Sequence, residues 1–412
     1  MILPGAVVLC ALLLLVQEGP SPVSLLPQPA DQPSGGIDRP QDGSGESREA
    51  RLRVSVSLGP EALAALESIT EEWESLHPQW QAELIAVDAA GERGSEAGAQ
   101  PADIRLLSNR DSLRWASAGK LLPADGLVPQ DGGSASAAEA SPFAQELRWR
   151  GYAWGTPAYA DPPVLIWSRE ALHAAGWSKP PAAWAELERL RAQAPERAAA
   201  AIPSADGVHA LAWLARWHGE GAPLDPARLE ASVLPRPAPL QAPDLTAAGS
   251  AAAAVELVRG GGSFSAVVPL SYYRSYGLGS EFVADESLSA AAPLSARGGY
   301  GYVIASDTEF PAAAGSWIAA ATARSAQERL REAGGLLPAN PGLYAAAEGA
   351  EAGLPLSIWK QAIFPEEGSS GKPELGRLLP FEPLWAAYGA SAGAMSPHQL
   401  AQAWKQSIEG SS

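Results

Sequence analysis

The chain has 412 residues, more than one typical core holds, and a net charge of −17. Two lobes are therefore expected, and a phosphate backbone is excluded as a partner, because it demands a basic face. The single cysteine, Cys10, stands in an apolar leader, so disulfides, thiolate metal sites and cysteine catalysis are excluded from the body.

Met1 to Val16 is one apolar block, the length of a signal h-region and too short to span a bilayer. Residues 17–49 are rich in Pro, Gly, Ser and Asp, which suits a flexible tether that buries no core. Order is expected from Arg51. Leu52, Val54, Val56 and Leu58 alternate with polar residues, a strand period. Gly59-Pro60 ends that strand and Glu61 opens a helix with Leu63, Leu66, Ile69, Trp73 and Leu76 on one face, stopped by Pro78. A second strand covers residues 81–87, a loop 88–101, a third strand 102–107 and a helix 111–118. This βαβ opening builds a parallel sheet.

The stretch Trp149 to Glu186 bends at Gly155, Pro157 and Asp161-Pro162-Pro163, then starts afresh. A strand is expected over 163–167 and a short helix from Ser168 to Gly176. A second helix is expected from Pro180-Pro181, with Trp184, Leu187 and Leu190 on one face. Residues 182–232 read as alanine-rich helix carrying Trp184, Trp213 and Trp217, with a loop over 235–243. Further helices are expected over 246–259 and 311–323, a strand over 264–270, and a last helix over 397–408. Ser325 and Glu328 are spaced as a capping box, and Gly334-Gly335 closes that helix.

The order of these signals resembles extracellular solute-binding protein family 1, the maltose-binding-like subunits of ABC importers. The crossover residues that match are Gly151, Trp154, Gly155, Pro157, Tyr159, Val164 to Trp167, Ser168, Glu170, Gly176, Pro181, Trp184, Glu186 and Leu187. Further matches are Gly119 to Pro123, Gly260 to Val268, Pro293 to Ser306 and Gly335 to Asn340, in the family's order over about residues 50–410. The resemblance implies an α/β, two-lobed periplasmic-binding-protein-like fold (type II), each lobe a mostly parallel sheet flanked by helices. Lobe 1 would comprise 50–157 and 297–345, lobe 2 158–296 and 346–412. The crossings would fall near 155–162, 292–298 and 343–355.

The resemblance also implies a function: capture of a small solute, by default a sugar or oligosaccharide, and its delivery to ABC permease subunits at the outer face of the membrane. No nucleic acid, metal or cofactor is implied. Ligands of open α/β sheets sit beyond the carboxyl ends of strands, which points to Ser57 and to Asn109, Arg110 and Asp111. Asp111 has the competing role of capping its helix. Trp154, Tyr159, Tyr272, Tyr273 and Tyr300 are the ring candidates for stacking on a sugar. The lipoprotein branch of the family carries a small residue before its lipidated cysteine, whereas Leu9 precedes Cys10 and no Lys or Arg precedes the block. A cleaved signal, lipidation at Cys10 and an uncleaved anchor stay open.

Two alternatives accompany this reading. One is a sensor or scaffold of the same fold without transport. The other is a secreted serine hydrolase using Ser391, because Gly389 to Gly393 matches G-x-S-x-G. That elbow needs an apolar strand before the serine, and Trp385 to Tyr388 make a poor one. The five histidines (77, 173, 209, 218 and 398) show no metal spacing, and no H-E-x-x-H, Walker loop or G-x-G-x-x-G occurs.

Overall fold

The computed structural model describes residues 50–87, 101–129, 141–204, 207–218, 226–233, 243–285, 298–344, 350–351, 354–355, 359–360, 363–364, 381–391 and 394–409. The apolar leader with Cys10, the tether, and most of the expected loops 88–101 and 235–243 lie outside them. Glu49–Ser412 holds together as one unit.

The chain opens with β1 (Ala50–Val56), α1 (Pro60–Leu76) and β2 (Trp80–Ala86). β1 and β2 pair in parallel, Ala50 opposite Trp80 and Val56 opposite Ala86. Pro60 fits the first turn of α1 because its missing N–H would have had no partner there. Leu66, Ile69 and Trp73 of α1 are buried, but Leu76 is 79% exposed. The helix ends at Leu76, and His77 folds back instead, its ring stacked 4.7 Å from Trp73. β3 (Ile104–Ser108) pairs in parallel with the other side of β1 and leads into α2 (Asn109–Ser117).

β4 (Leu121–Leu122), α3 (Pro142–Glu146) and the hairpin β5 (Arg148–Trp149) and β6 (Tyr152–Ala153) follow. β7 (Thr156–Ala160) belongs to the first sheet, while β8 (Pro163–Ser168), two residues later, belongs to the second. The next elements are α4 (Arg169–Ala174), α5 (Trp184–Arg191), β9 (Ala198–Pro203), α6 (Gly207–His218) and α7 (Pro226–Val233). Then come β10 (Leu245–Ala248), α8 (Ala251–Arg259), β11 (Ser263–Pro269), α9 (Leu270–Ser275) and β12 (Phe282–Asp285). β13 (Gly299–Ala305), α10 (Pro311–Ala321), α11 (Arg324–Gly334) and β14 (Leu337–Pro338) return to the first sheet's layer. A small hairpin, β15 (Ala350–Glu351) and β16 (Leu354–Pro355), precedes α12 (Phe381–Ala390) and α13 (Pro397–Glu409).

The first sheet runs β14-β7-β13-β3-β1-β2, with β4 also on β13, and the second β10-β9-β11-β8-β12. In the first, α1, α10 and α11 cover a core of Leu52, Val54, Ile104, Tyr302 and Trp317. The second sheet buries both faces. Leu165 and Trp167 of β8 point into a cluster with Trp213, Trp385 and Trp404, while Val164 and Ile166 point into another with Val255, Tyr273 and Trp359. This alternation within one strand is the period of two expected of a sheet sandwiched between helices.

Four expectations from sequence require correction. Residues 182–232 are not continuous helix: Ala198 to Pro203 form a fully buried central strand. Alanine prefers helix only weakly, and tertiary burial overrides that preference. The helix after the Pro180-Pro181 pair starts at Trp184, and Glu186 accepts the Ala182 N–H ahead of it (2.7 Å). The segment 246–259 begins as strand, and Ser250 then caps α8 by accepting the Ala253 N–H. The Ser325–Glu328 capping box does not form: α11 already starts at Arg324, which Glu328 binds at 3.1 Å.

Candidate functional site

β1, β2, β3 and β7 all point their carboxyl ends to one edge of the first sheet, where antiparallel β13 begins. In the second sheet the carboxyl ends of β9, β10 and β11 share an edge with the start of antiparallel β8. Only Asp161 and Pro162 separate β7 from β8, and two residues span roughly 7–10 Å. The two edges therefore face each other at this crossing. Asp161 donates its N–H to Gly298 O (2.8 Å), so a second connection runs alongside the first. Gly298 has φ +71°, and a Cβ there would lie 2.0 Å from Asp161 O. A third connection leaves β14, and its Tyr344 packs in the second sheet's cluster.

Ser57 follows β1 at the first edge, half-buried. Ser108 caps α2 by accepting the Asp111 N–H (3.1 Å) and donates its hydroxyl to Asp111 Oδ2 (2.6 Å). Arg114 also binds Asp111 at 3.1 Å. Ser108 is thus the cap in place of Asp111, which stands at the third helical position and holds the Ser108 hydroxyl. Asn109 is buried and donates to Phe143 O (3.4 Å) and to Glu146 Oε2 (3.1 Å), which seats α3 against the start of β13. Arg110 is half-exposed between them. Tyr300 opens β13 opposite Tyr159, and their rings stack at 4.9 Å and 16°. Tyr159 is the buried member and supports the half-exposed Tyr300 ring.

On the second edge β11 turns directly into α9, which carries Ser271, Tyr272 and Tyr273. Asp161 accepts both the Ser271 N–H (2.8 Å) and the Ser271 hydroxyl (2.6 Å), and Pro162 O accepts the Leu270 N–H (3.0 Å). Tyr272 stacks on Tyr276 at 4.3 Å and 26°, and Tyr276 is 66% exposed. Tyr273 is buried and turns into the core. Burial raises the ionisation of both Tyr272 and Tyr273 above the usual phenol range. Both stay neutral at physiological pH.

On α9, Tyr273 turns into the core and Tyr272 lies toward Glu256 and Arg259 in the last turn of α8, while six of the nine candidates gather at the first lobe's edge. Trp154 does not. It precedes β7, at the opposite end of that strand, packed with Trp115 and Trp149, and its indole N–H donates to Trp149 O (2.9 Å). Sequence reasoning missed Asp161, Tyr276 and Arg274. For Asp161 the sequence marked only its place, directly before Pro162-Pro163 at the bend, and not its partner.

Ser391 follows helix α12 rather than a strand, and its hydroxyl donates to Tyr388 O (2.8 Å). The strand that a nucleophile elbow requires is replaced by helix, which removes the structural basis for the hydrolase alternative. Among the described residues, no group of three His, Cys, Asp or Glu is arranged to hold a metal ion, and no helix is long and apolar enough to cross a membrane.

No protein-family model matches the sequence, and no curated protein matches it. Solved structures do match in fold. The GacH receptor of Streptomyces glaucescens, solved unliganded and with acarbose, is 15% identical, with a TM-score of 0.62 over 88% of this chain and 98% of that one. UgpB from Mycobacterium tuberculosis, in complex with glycerophosphocholine, is 16% identical, with a TM-score of 0.63 over 90% and 99%. The maltose/maltodextrin-binding domain MalE from Bdellovibrio bacteriovorus, bound to maltotriose, is 12% identical, with a TM-score of 0.61 over 88% and 99%. The chain shares their two-lobed α/β fold along almost their whole length.

Proposed function

We propose that this chain is an extracellular solute-binding protein. It captures a small solute, a sugar or oligosaccharide, between its lobes and delivers it to an ABC-type membrane permease. The observation that carries this reading is the Tyr159–Tyr300 stack at the first lobe's edge, joined by the Tyr272–Tyr276 stack on α9 of the second. Each stack backs one partly exposed ring with a second. Sugar rings offer apolar C–H faces to such platforms, while their hydroxyls need fixed polar partners. Ser57 and Arg110 supply polar groups beside Tyr300.

Tyr300 and the Tyr272–Tyr276 stack are assigned to ligand contact, with Ser57 and Arg110 as hydroxyl partners. Asn109, Tyr159 and Tyr273 hold the walls of the cleft. Closure brings the two edges onto the solute, and the ligand favours the closed state by its differential affinity. The lobes are assigned as 50–160 with 299–338, and 163–285 with 344–409. The leader is assigned to export and the tether to retention at the outer face of the membrane.

The test is calorimetric titration of the purified protein with maltotriose, acarbose, mannitol and glycerophosphocholine. Saturable one-to-one binding of a sugar that Tyr300→Ala weakens supports the assignment. Binding that survives loss of both Tyr272 and Tyr300 refutes it.

A further inference from the structure

α9 does more than carry Tyr272. It leaves the second lobe's sheet and touches the first lobe at two places. Arg274 donates from Nη2 to Glu332 O (3.0 Å) and from Nη1 to Arg331 O (3.4 Å), both backbone carbonyls in the last turn of α11. Glu332 O is among the last carbonyls, which lack a partner within the helix, whereas Arg331 O also accepts the Gly335 N–H (2.9 Å), and a cation there meets the negative end of the helix dipole. Gly335, with φ +69°, closes α11 and leaves room for the guanidinium. A Cβ at that position would lie 2.5 Å from Arg274 Cδ and 2.7 Å from Nη1. One residue further along α9, Ser275 Oγ lies 3.3 Å from where a Cβ of Gly59 would stand, at the start of α1. The other end of α9 is held by Asp161, in the first crossing, through two hydrogen bonds to Ser271.

We propose that α9 is an interlobe clasp. Arg274 fastens its tip to the end of α11, and Asp161 pins its root to the crossing. The clasp sets how far the lobes part, and Arg274 is a positioning residue that acts on the cleft through Tyr272, two residues away on the same short helix. This deepens the solute-binding reading, and only its effect on affinity rests on that reading. Arginine suits the task because its planar fork reaches two adjacent carbonyls at once, which a lysine ammonium does not match.

The test is disulfide trapping in the full chain, with Cys10→Ser, Gly59→Cys and Ser275→Cys combined. Gly59 has φ −66°, a conformation any residue adopts. The 3.3 Å runs from Ser275 Oγ, the position a cysteine sulfur takes, to the Cβ position of residue 59, and a disulfide sets that sulfur-to-Cβ distance at about 3 Å. Intact mass and thiol alkylation report the bond. Rapid intramolecular oxidation is expected, slowed about fivefold by Arg274→Ala, the loss expected for exposed charge-assisted hydrogen bonds. Arg274→Lys should restore only part of the rate. An unchanged rate in Arg274→Ala overturns the fastening role, and failure to oxidise in a chain that melts like the parent overturns the contact itself.

Trapping needs no ligand, so it stands whether or not the chain binds sugar. Maltotriose is the probe for the second arm. If maltotriose binds, Arg274→Ala should change its affinity by the same factor, because apparent affinity scales with the fraction of molecules at the competent lobe spacing. Slowed trapping with unchanged affinity would overturn the link to the cleft while leaving the clasp in place.

Discussion

Replacing Arg191 by Met should unfold the second lobe well before the parent does. Arg191 is fully buried in α5 and pairs with Asp244, also buried, at the start of β10. Its Nη2 donates to Pro243 O at 3.2 Å. Removing the guanidinium strands a carboxylate out of water beneath the sheet, at a cost of about 3–5 kcal/mol. With an unfolding entropy near 2.1 cal/mol/K per residue over the 276 described residues, that is about 5–9 °C in melting temperature. Changing Asp244 to Leu as well removes the stranded charge, so the double variant should regain at least half the loss, because apolar replacements of buried ion pairs are often neutral. Differential scanning calorimetry of the parent, both single variants and the double variant is the assay. A single-variant shift below about 1 °C, or a double variant lower than the sum of the singles, would refute this reasoning.

Three further outcomes are expected. Tyr300→Ala should weaken sugar binding about three- to tenfold, the worth of one aromatic platform, while Trp154→Phe leaves affinity unchanged; titration calorimetry separates them. Burial raises the ionisation of Tyr272, Tyr273, Tyr302 and Tyr388 above the usual phenol range. Their folded forms hold the proton more tightly than the unfolded chain, so stability from this source is complete below about pH 10 and is lost as pH rises through the folded values. A melting temperature that stays flat above pH 10 would contradict that sign. Gly298→Ala should disrupt the paired crossings, because the new Cβ would sit 2.0 Å from Asp161 O at φ +71°. Lower yield and a melting point depressed by several degrees are expected.

The βαβ opening was legible because its signals are local. Leu52, Val54 and Val56 alternate, and the apolar residues of α1 recur at helical spacing. The order of the crossover was legible for the same reason, since prolines and glycines punctuate it. Residues 198–203 were not, because an alanine run becomes a strand only through its neighbours β10 and β11. Ser391 was discounted from sequence and Trp154 was not. The first matched a pattern whose meaning depends on a preceding strand, and the second had the right ring at the wrong end of β7.

Arg274 and Asp161 were missed because their partners lie far along the chain. Arg274 reaches carbonyls 57 and 58 residues away, and Asp161 reaches Ser271, 110 residues away. Composition and spacing carry no trace of such contacts. The candidate site was therefore readable as a set of edges and rings, while the parts that hold those edges together were not.

The most direct test of the central claim is titration of the intact chain with maltotriose, acarbose, mannitol and glycerophosphocholine, followed by small-angle scattering with and without the best binder. One-to-one binding of a sugar with a fall in radius of gyration is expected, together with loss of affinity in the Tyr272→Ala, Tyr300→Ala double variant. No binding across the panel and no change in radius would contradict sugar capture and favour a sensor or scaffold built on the same fold.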